Sequence, residues 1–185
     1  MGIALLILKI LGWKKVGHLP EENKFIIILA PHTSNWDLFY GILLAFAFKA
    51  DGRFIAKKEL FRQPFTWIMK WLGGVPIDRA LSSNVVDQMI RSFNKYNIFM
   101  LALAPEGTRN KTNGWKSGFY HIAAGAHVPI QLTFLDYPTK TGGAGPLICP
   151  TGDLDRDMQT IRNFYATVRG RHPHKTSPAV ILSKT

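Results

Sequence analysis

Cysteine is almost absent from this sequence: Cys149 is the one thiol in 185 residues. One thiol excludes a disulfide within the chain and fits a protein of a reducing compartment. We interpret Cys149, in the stretch PLICPTG, as a packing residue. Acidic residues are also scarce, with 12 Asp and Glu against 23 Lys and Arg, which gives a formal net charge of +11. This imbalance predicts an anionic partner: a phosphorylated substrate, a nucleic acid or an anionic membrane face.

The sequence has no apolar run long enough to cross a bilayer. The N-terminal run from Ile3 to Leu11 is interrupted by Lys9 and is followed by Trp13 and two lysines. Even a helix of about eleven residues spans only roughly 17 Å, whereas the hydrocarbon core is about 30 Å thick. The segment also lacks the charge order and cleavage site of a signal peptide. A short apolar helix with Trp and Lys at one end suits a membrane interface, and packing on the protein's own core is the alternative.

Metal-ligand spacing is missing too. His121 and His127 are six residues apart, and His172 and His174 lie in the tail-like stretch RHPHK. Metal sites in proteins draw on closely spaced His and Cys ligands, which these positions do not supply. We therefore expect no metal, and we interpret these histidines as surface or core residues.

Aliphatic runs alternate with helical patterns along most of the chain. Predicted strands cover residues 25–30, 53–57, 75–78, 98–104 and 128–136. Predicted helices cover residues 35–48, 64–72, 84–96, 117–124 and a stretch after Gly152, whose stripe of apolar residues follows helical spacing. The stretch YPTKTGGAGP (137–146) is predicted to be a turn-rich connection. The alternation predicts an α/β fold with a mixed, largely parallel central sheet and helices on both faces.

Polar residues are concentrated where the first predicted strand, FIIILA, ends. His32 and Asp37 are five residues apart, so on one helix they would point about 140° away from each other. If the strand ends at Pro31 and Thr33 or Ser34 caps the next helix, Asp37 can reach back to His32. A carboxylate on one imidazole nitrogen leaves the other to accept a proton, as in general-base catalysis. The alternative is a His and an Asp that only cap a helix.

A second polar loop follows the strand at 98–104. It contains Glu106, Gly107, Thr108 and Arg109, with Lys116 further along. Gly permits close approach of the backbone, and Arg can bind a phosphate or carboxylate through two hydrogen bonds. A solvated turn of mixed charge is the alternative. Because functional groups collect where parallel strands end, two such loops predict a shared cleft.

Together these blocks resemble a known family. HTSNWD (32–37), FIAKKEL (54–60), GGVPIDR (73–79), PEGTR (105–109) and VPI (128–130) occur in this order. They are similar to the signatures of the glycerolipid acyltransferases, of the lysophosphatidic acid (1-acyl-glycerol-3-phosphate) acyltransferase type. One departure is Trp115, where many relatives carry Phe before the lysine.

The resemblance implies roles for the predicted site residues. His32 would take a proton from an acceptor hydroxyl, which would attack the thioester of acyl-CoA or acyl-carrier protein, and Asp37 would orient and stabilise the imidazole. Arg109 and Lys57 would hold an acceptor phosphate, while Glu106, Gly107, Thr108 and Lys116 would contribute to substrate binding. No metal or cofactor is implied. Ser34 as a covalent nucleophile is the alternative, but it lacks the Gly-x-Ser-x-Gly elbow.

Lipid substrates also bear on localisation. They favour an interfacial N-terminal helix over a core helix, and so divide the chain into a membrane-interface segment (1–20) and a catalytic domain (21–185). We expect a peripheral or monotopic protein on the cytoplasmic face of a membrane, whose partners are an anionic bilayer surface, an acyl donor and a lysolipid acceptor. Other lysolipids or a non-phosphorylated alcohol remain open as acceptors. The non-enzyme alternative, a nucleic-acid-binding module, would require clustered basic residues, whereas here they are scattered.

Overall fold

The computed structural model describes residues 2–50, 52–57, 66–71, 73–77 and 82–182. The strands are β1 (Lys14–Val16), β2 (Lys24–Leu29), β3 (Gly52–Lys57), β4 (Gly74–Ile77), β5 (Phe99–Leu103), β6 (Ile130–Asp136) and β7 (Thr141–Ile148). The helices are α1 (Ile3–Ile10), α2 (Trp36–Phe48), α3 (Thr66–Trp71), α4 (Ser82–Lys95), α5 (Gly118–Ala126) and α6 (Leu154–Tyr165), with a short 3-10 turn at Pro173–Lys175. Residues 58–65 and 78–81, which complete two of the sequence blocks and one predicted helix, lie outside the described residues.

The described strands form a single mixed sheet. Its order is β1-β7-β6-β2-β5-β3-β4, and every neighbouring pair is parallel except β6 and β7. β2 lies at the centre between β6 and β5, so the loops that follow β2 and β5 leave from the same edge. The predicted α/β class with a mixed, largely parallel sheet is therefore confirmed.

Helices cover both faces of the sheet, because side chains alternate along each buried strand. Ile26 and Ile28 of β2 contribute to the larger core cluster, which they share with α4, α5 and α6. Leu29 packs instead into a second cluster with Leu135 of β6 and the helices α1 and α2. Both faces are thus shielded, and the polar loops at the strand ends are left to form the site.

The N-terminal segment packs on the protein's own core, which is one of the two arrangements that the sequence left open. Leu8 and Trp13 are buried in the second cluster, and β1 adds an edge strand to the sheet. The opposite side of α1 is apolar but exposed, with Ile3 at 79% and Ile10 at 74%. Among the described residues, no helix is both long and apolar enough to span a membrane. The division of the chain at residue 20 and the interfacial role stay predictions.

Two predictions for the region after β6 are wrong. Only Tyr137–Lys140 form a turn, and the glycine-rich remainder of the predicted connection is strand β7. The glycines are needed because the strands lie very close together: a β-carbon on Gly143 would overlap the backbone oxygen of Val16 in β1. Cys149, which follows β7, is exposed and is therefore not a packing residue.

Candidate active site

His32 and Asp37 meet at the turn that connects β2 to α2, which we term the catalytic turn (residues 30–37). His32 Nδ1 lies 3.1 Å from Asp37 Oδ2. Asp37 is fully buried, whereas 23% of the His32 side chain is exposed. The contact predicted from the sequence is present, although the predicted cap differs: Asn35 occupies the N-cap without a side-chain bond, and Ser34 Oγ accepts from the Trp36 N–H at 3.2 Å.

Four donors fix the Asp37 carboxylate. Oδ2 accepts the backbone N–H groups of Thr33 at 2.8 Å and Ser34 at 2.9 Å in addition to His32, and Oδ1 accepts the Tyr137 hydroxyl at 2.7 Å. Burial raises the pKa of Asp37. These hydrogen bonds and the charge of His32 lower it by a larger amount, so the pKa of Asp37 lies below its ordinary value. Because an ionised Asp37 only accepts, a neutral His32 carries its proton on Nδ1. Nε2 makes no hydrogen bond within the described part of the chain, so it can accept a proton.

Tyr137 is a site residue that sequence reasoning missed. It is 100 residues from Asp37 and lies in the turn after β6, inside the stretch predicted as a connection. Its ring packs edge-on against Trp13, with the ring centroids 5.1 Å apart. Burial, with the hydrogen bond to Asp37, raises the pKa of Tyr137, so its hydroxyl keeps its proton and donates. Its one sequence signal is a tyrosine directly after a buried strand, which is too common to identify a site.

Glu106 connects the two polar loops. Its Oε2 accepts the backbone N–H of His32 at 2.7 Å. Glu106, in the loop after β5, is therefore hydrogen-bonded to the catalytic turn after β2. This contact places the two predicted loops together at one edge of the sheet. Glu106 is 3% exposed, and its Oε1 has no hydrogen-bond partner among the described residues. Burial raises the pKa of Glu106 to about 8, helped by the nearby charge of Asp37 and opposed by the His32 N–H.

The raised pKa of Glu106 predicts a pH-dependent stability. Between pH 4.5 and about 8 the folded protein retains a proton that the unfolded chain has lost, so the free energy of unfolding falls as the pH rises. Glu106→Gln, which imitates the neutral carboxyl, should remove this contribution and flatten the profile. Melting temperatures measured at pH 5, 6, 7 and 8 test this, with the exposed Glu22→Gln as control. Parallel profiles for wild type and Glu106→Gln would contradict it.

The remaining predicted residues, except Lys57, lie around the same loop. Gly107 has φ +67°, and a β-carbon there would come within 3.3 Å of Lys116 Cε, so the Lys116 side chain crosses the glycine. Thr108 is half-buried, and its hydroxyl accepts the Asn110 N–H at 3.3 Å. Arg109 is exposed, with no hydrogen bond or ion pair to any described residue. Lys57 ends β3, but its side chain lies outside what the structure describes.

The described part of the chain contains no cluster of metal-ligating side chains. No three His, Cys, Asp or Glu side chains in that part of the chain lie close enough together to hold an ion. The side chains at the site are the imidazole of His32, the buried carboxyls of Asp37 and Glu106, and the phenol of Tyr137. The cation Lys116 lies against Gly107 in the second loop.

The chain is similar in sequence to known proteins. Residues 14–133 match the family model described as Acyltransferase. A 1-acyl-sn-glycerol-3-phosphate acyltransferase of Streptococcus pneumoniae (strain ATCC BAA-255 / R6) is 35% identical over 115 residues, which are 61% of this chain and 42% of that protein. The matched part thus spans under half the length of this curated relative.

A solved structure supports the fold. The crystal structure of the 1-acyl-sn-glycerophosphate (LPA) acyltransferase PlsC from Thermotoga maritima matches with a TM-score of 0.61, covering 91% of this chain and 78% of that one. Its sequence identity is 20%, so this likeness concerns the architecture alone.

Proposed function

The chain belongs to the acyltransferase family, and from this membership we propose that it moves a fatty acyl group from a thioester to the hydroxyl of a lysophospholipid, such as 1-acyl-glycerol-3-phosphate. The streptococcal relative, whose name specifies that acceptor class, supports the choice. The observation that carries the proposal is the 3.1 Å contact of His32 Nδ1 with a buried, ionised Asp37, which leaves Nε2 as a base.

The proposed reaction follows from this arrangement. His32 Nε2 takes the proton of the acceptor hydroxyl as its oxygen attacks the thioester carbonyl carbon. The carbon–sulfur bond then breaks, and the thiolate leaves and recovers the proton from the imidazolium. Asp37 stabilises the imidazolium while it exists. Acyl-CoA or acyl-carrier protein would serve as donor, and the step needs no cofactor.

Direct transfer is favoured over a covalent intermediate on Ser34. A serine nucleophile needs a base within hydrogen-bond reach. Ser34 is 8% exposed, and its Oγ accepts from the Trp36 N–H, whereas no hydrogen bond joins it to the His32 ring within the described residues. Ser34 therefore supports the local backbone in this proposal.

Arg109 is proposed to bind the acceptor phosphate, with Lys116 beside it and Lys57 from β3. Arg109→Lys should raise the apparent KM for a phosphorylated lysolipid, because an ammonium cannot reproduce the two-pronged contact of a guanidinium. The KM for the acyl donor should change little. Initial rates with monoacylglycerol, which lacks the phosphate, provide the comparison, and Lys111→Gln in the same loop controls for charge. An equal loss of kcat for both acceptors, with unchanged KM values, would remove Arg109 from this role.

We further propose that the protein binds an anionic bilayer on its cytoplasmic face as a peripheral or monotopic protein. Exposed apolar side chains on α1 and α2, two helices that pack together, support this: Ile3, Leu6, Ile10, Trp36, Phe39 and Phe46. Lys9 and Lys14 are exposed on the same N-terminal segment and would add roughly 1 kcal/mol each near anionic lipid.

Point substitutions test membrane binding more cleanly than truncation, since deleting residues 1–15 would also remove Leu8 and Trp13 from the core. The double variant Ile3→Asn with Ile10→Asn should bind anionic liposomes at least about tenfold more weakly, because each apolar side chain contributes on the order of 1.5–3 kcal/mol when buried. Ile98→Asn, at a 58% exposed position before β5, is the matched control. Equal liposome sedimentation for all three proteins would contradict the proposal.

A further inference from the structure

The chain after α6 returns to the catalytic turn and is held there. The Arg169 N–H donates to Asp136 Oδ1 at 2.8 Å, and the Arg169 carbonyl accepts the N–H of Tyr137 at 3.0 Å. The His172 N–H donates to Thr33 Oγ1 at 3.2 Å. Gly170 between them is buried, and a β-carbon there would lie 2.7 Å from the same Thr33 oxygen. Residues 169–175, which we term the basic arm, are therefore a fixed part of the site and not a loose tail.

The continuation of the basic arm reaches the second polar loop. Ser177 Oγ accepts the N–H of Thr112 at 3.0 Å. The Trp115 N–H donates to the Val180 carbonyl at 2.7 Å, and the Leu182 N–H donates back to the Trp115 carbonyl at 2.9 Å. The C-terminal segment thus contacts both loops, although it lies outside the part of the chain that matches the family model.

Arg171 is the residue of the basic arm with the clearest capacity to bind a ligand. Its guanidinium carbon lies 5.3 Å from the centre of the Trp36 ring, a cation–π arrangement that restricts the side chain. Arg171 is close to the pair His32 and Asp37, the dyad, because the next residue, His172, donates its N–H to Thr33, whose own N–H donates to Asp37. The positive charge of Arg171 also acts to lower the pKa of Tyr137. No carboxylate within the described residues forms an ion pair with Arg171, so its donors are not already used.

We propose that Arg171, held over Trp36 by the basic arm, binds a phosphate group of a substrate beside the catalytic turn. The inference rests on the proposed function, because it assumes that the substrate reaching His32 carries phosphate. That phosphate could belong to the lysolipid acceptor or to the coenzyme A portion of the donor. Either would accept parallel hydrogen bonds from a pre-positioned guanidinium. Arg171 would then act as a further cation in addition to Arg109, Lys116 and Lys57, on a separate segment of the chain.

Binding measurements test the proposal without relying on turnover. Coenzyme A and a short-chain 1-acyl-glycerol-3-phosphate are titrated calorimetrically into wild type, Arg171→Gln and the control Arg91→Gln, which removes an exposed cation from α4. Arg171→Gln should weaken one of the two ligands by about ten- to a hundredfold, as expected for a charged hydrogen-bonded contact. The ligand affected identifies the source of the phosphate. Arg91→Gln should bind both like wild type.

Kinetics separate failure of this proposal from failure of the proposed function. The KM for the affected substrate should rise in Arg171→Gln, while the KM for its phosphate-free counterpart, monoacylglycerol or an acyl-N-acetylcysteamine, should not. Equal affinity of wild type and Arg171→Gln for both ligands would overturn the inference, as would absence of binding to wild type or an equal KM rise for phosphate-free substrates. Absence of acyl transfer by wild type despite Arg171-dependent binding would overturn the proposed function alone.

Discussion

His32→Ala is expected to reduce acyl transfer by about 10²- to 10⁴-fold, the usual effect of losing a general base. The fold should survive, because the His32 side chain is partly exposed and its backbone N–H can still donate to Glu106. The measurement is the initial rate of product formation by mass spectrometry, together with the melting temperature. His121→Ala, which removes an exposed histidine from α5, is the matched control and should retain wild-type activity.

Two outcomes of this experiment have different meanings. A folded His32→Ala protein with near-normal turnover would remove the general base from the mechanism. An equal loss of activity in His121→Ala would indicate a general sensitivity of the protein and not a role for the imidazole at the catalytic turn.

Asp37→Asn should cause a loss of similar size for a different reason. An amide offers one oxygen where the carboxylate offers two, so at least one of the donors from Thr33, Ser34, Tyr137 and His32 would face an NH₂ group. The amide can also stabilise the wrong imidazole tautomer, and it supplies no negative charge to the imidazolium. We expect a loss in kcat on the order of 10²- to 10⁴-fold, measured with saturating acceptor and donor.

Asp37→Asn should also lower stability, since an unpaired buried donor costs about 1–3 kcal/mol. The folded-state pKa of Asp37 is below its ordinary value, so the stabilisation from its ionised form is present at neutral pH. It is lost as the pH falls through that lowered pKa. The stability difference between wild type and Asp37→Asn should therefore narrow in acid. Tyr137→Phe, which removes one donor and keeps the ring, serves as a milder reference. Wild-type kcat and melting temperature in Asp37→Asn would contradict the role given to this carboxylate.

The central strands and the dyad could be predicted because their signals are local. The strands β2 and β5 are almost entirely continuous apolar runs, and such runs between helical patterns indicate a sheet buried on both faces. The predicted buried stripe of the last helix is largely present: Met158, Ile161 and Tyr165 are buried, whereas Leu154 and Val168 at its ends are half-buried. The contact of His32 with Asp37 joins residues only five positions apart, so a turn followed by a helix start was enough to suggest it.

The parts that could not be predicted depend on tertiary contacts. The glycines of β7 are typical of turns, and only their close contact with β1 explains their place in a strand. β1 is three residues long, which is too short to give a strand signal in the sequence. Tyr137 is positioned by packing against Trp13, and its hydrogen bond to Asp37 has no spacing signal. The sequence of the basic arm is typical of a solvated tail. The arm is held by hydrogen bonds from its backbone N–H groups to the side chains of Asp136 and Thr33, and backbone donors leave no signal in the sequence.

The most direct test of acyl transfer at His32 measures thiol release and acylated product in one reaction. Purified protein is mixed with acyl-CoA or with acylated acyl-carrier protein, each with and without 1-acyl-glycerol-3-phosphate, in detergent micelles. We expect thiol release to depend on the acceptor and each thiol to be matched by one diacylated product, because in direct transfer the acceptor hydroxyl itself attacks the thioester. Thiol release at the same rate without acceptor, or no acylated product in its presence, would contradict direct acyl transfer at His32.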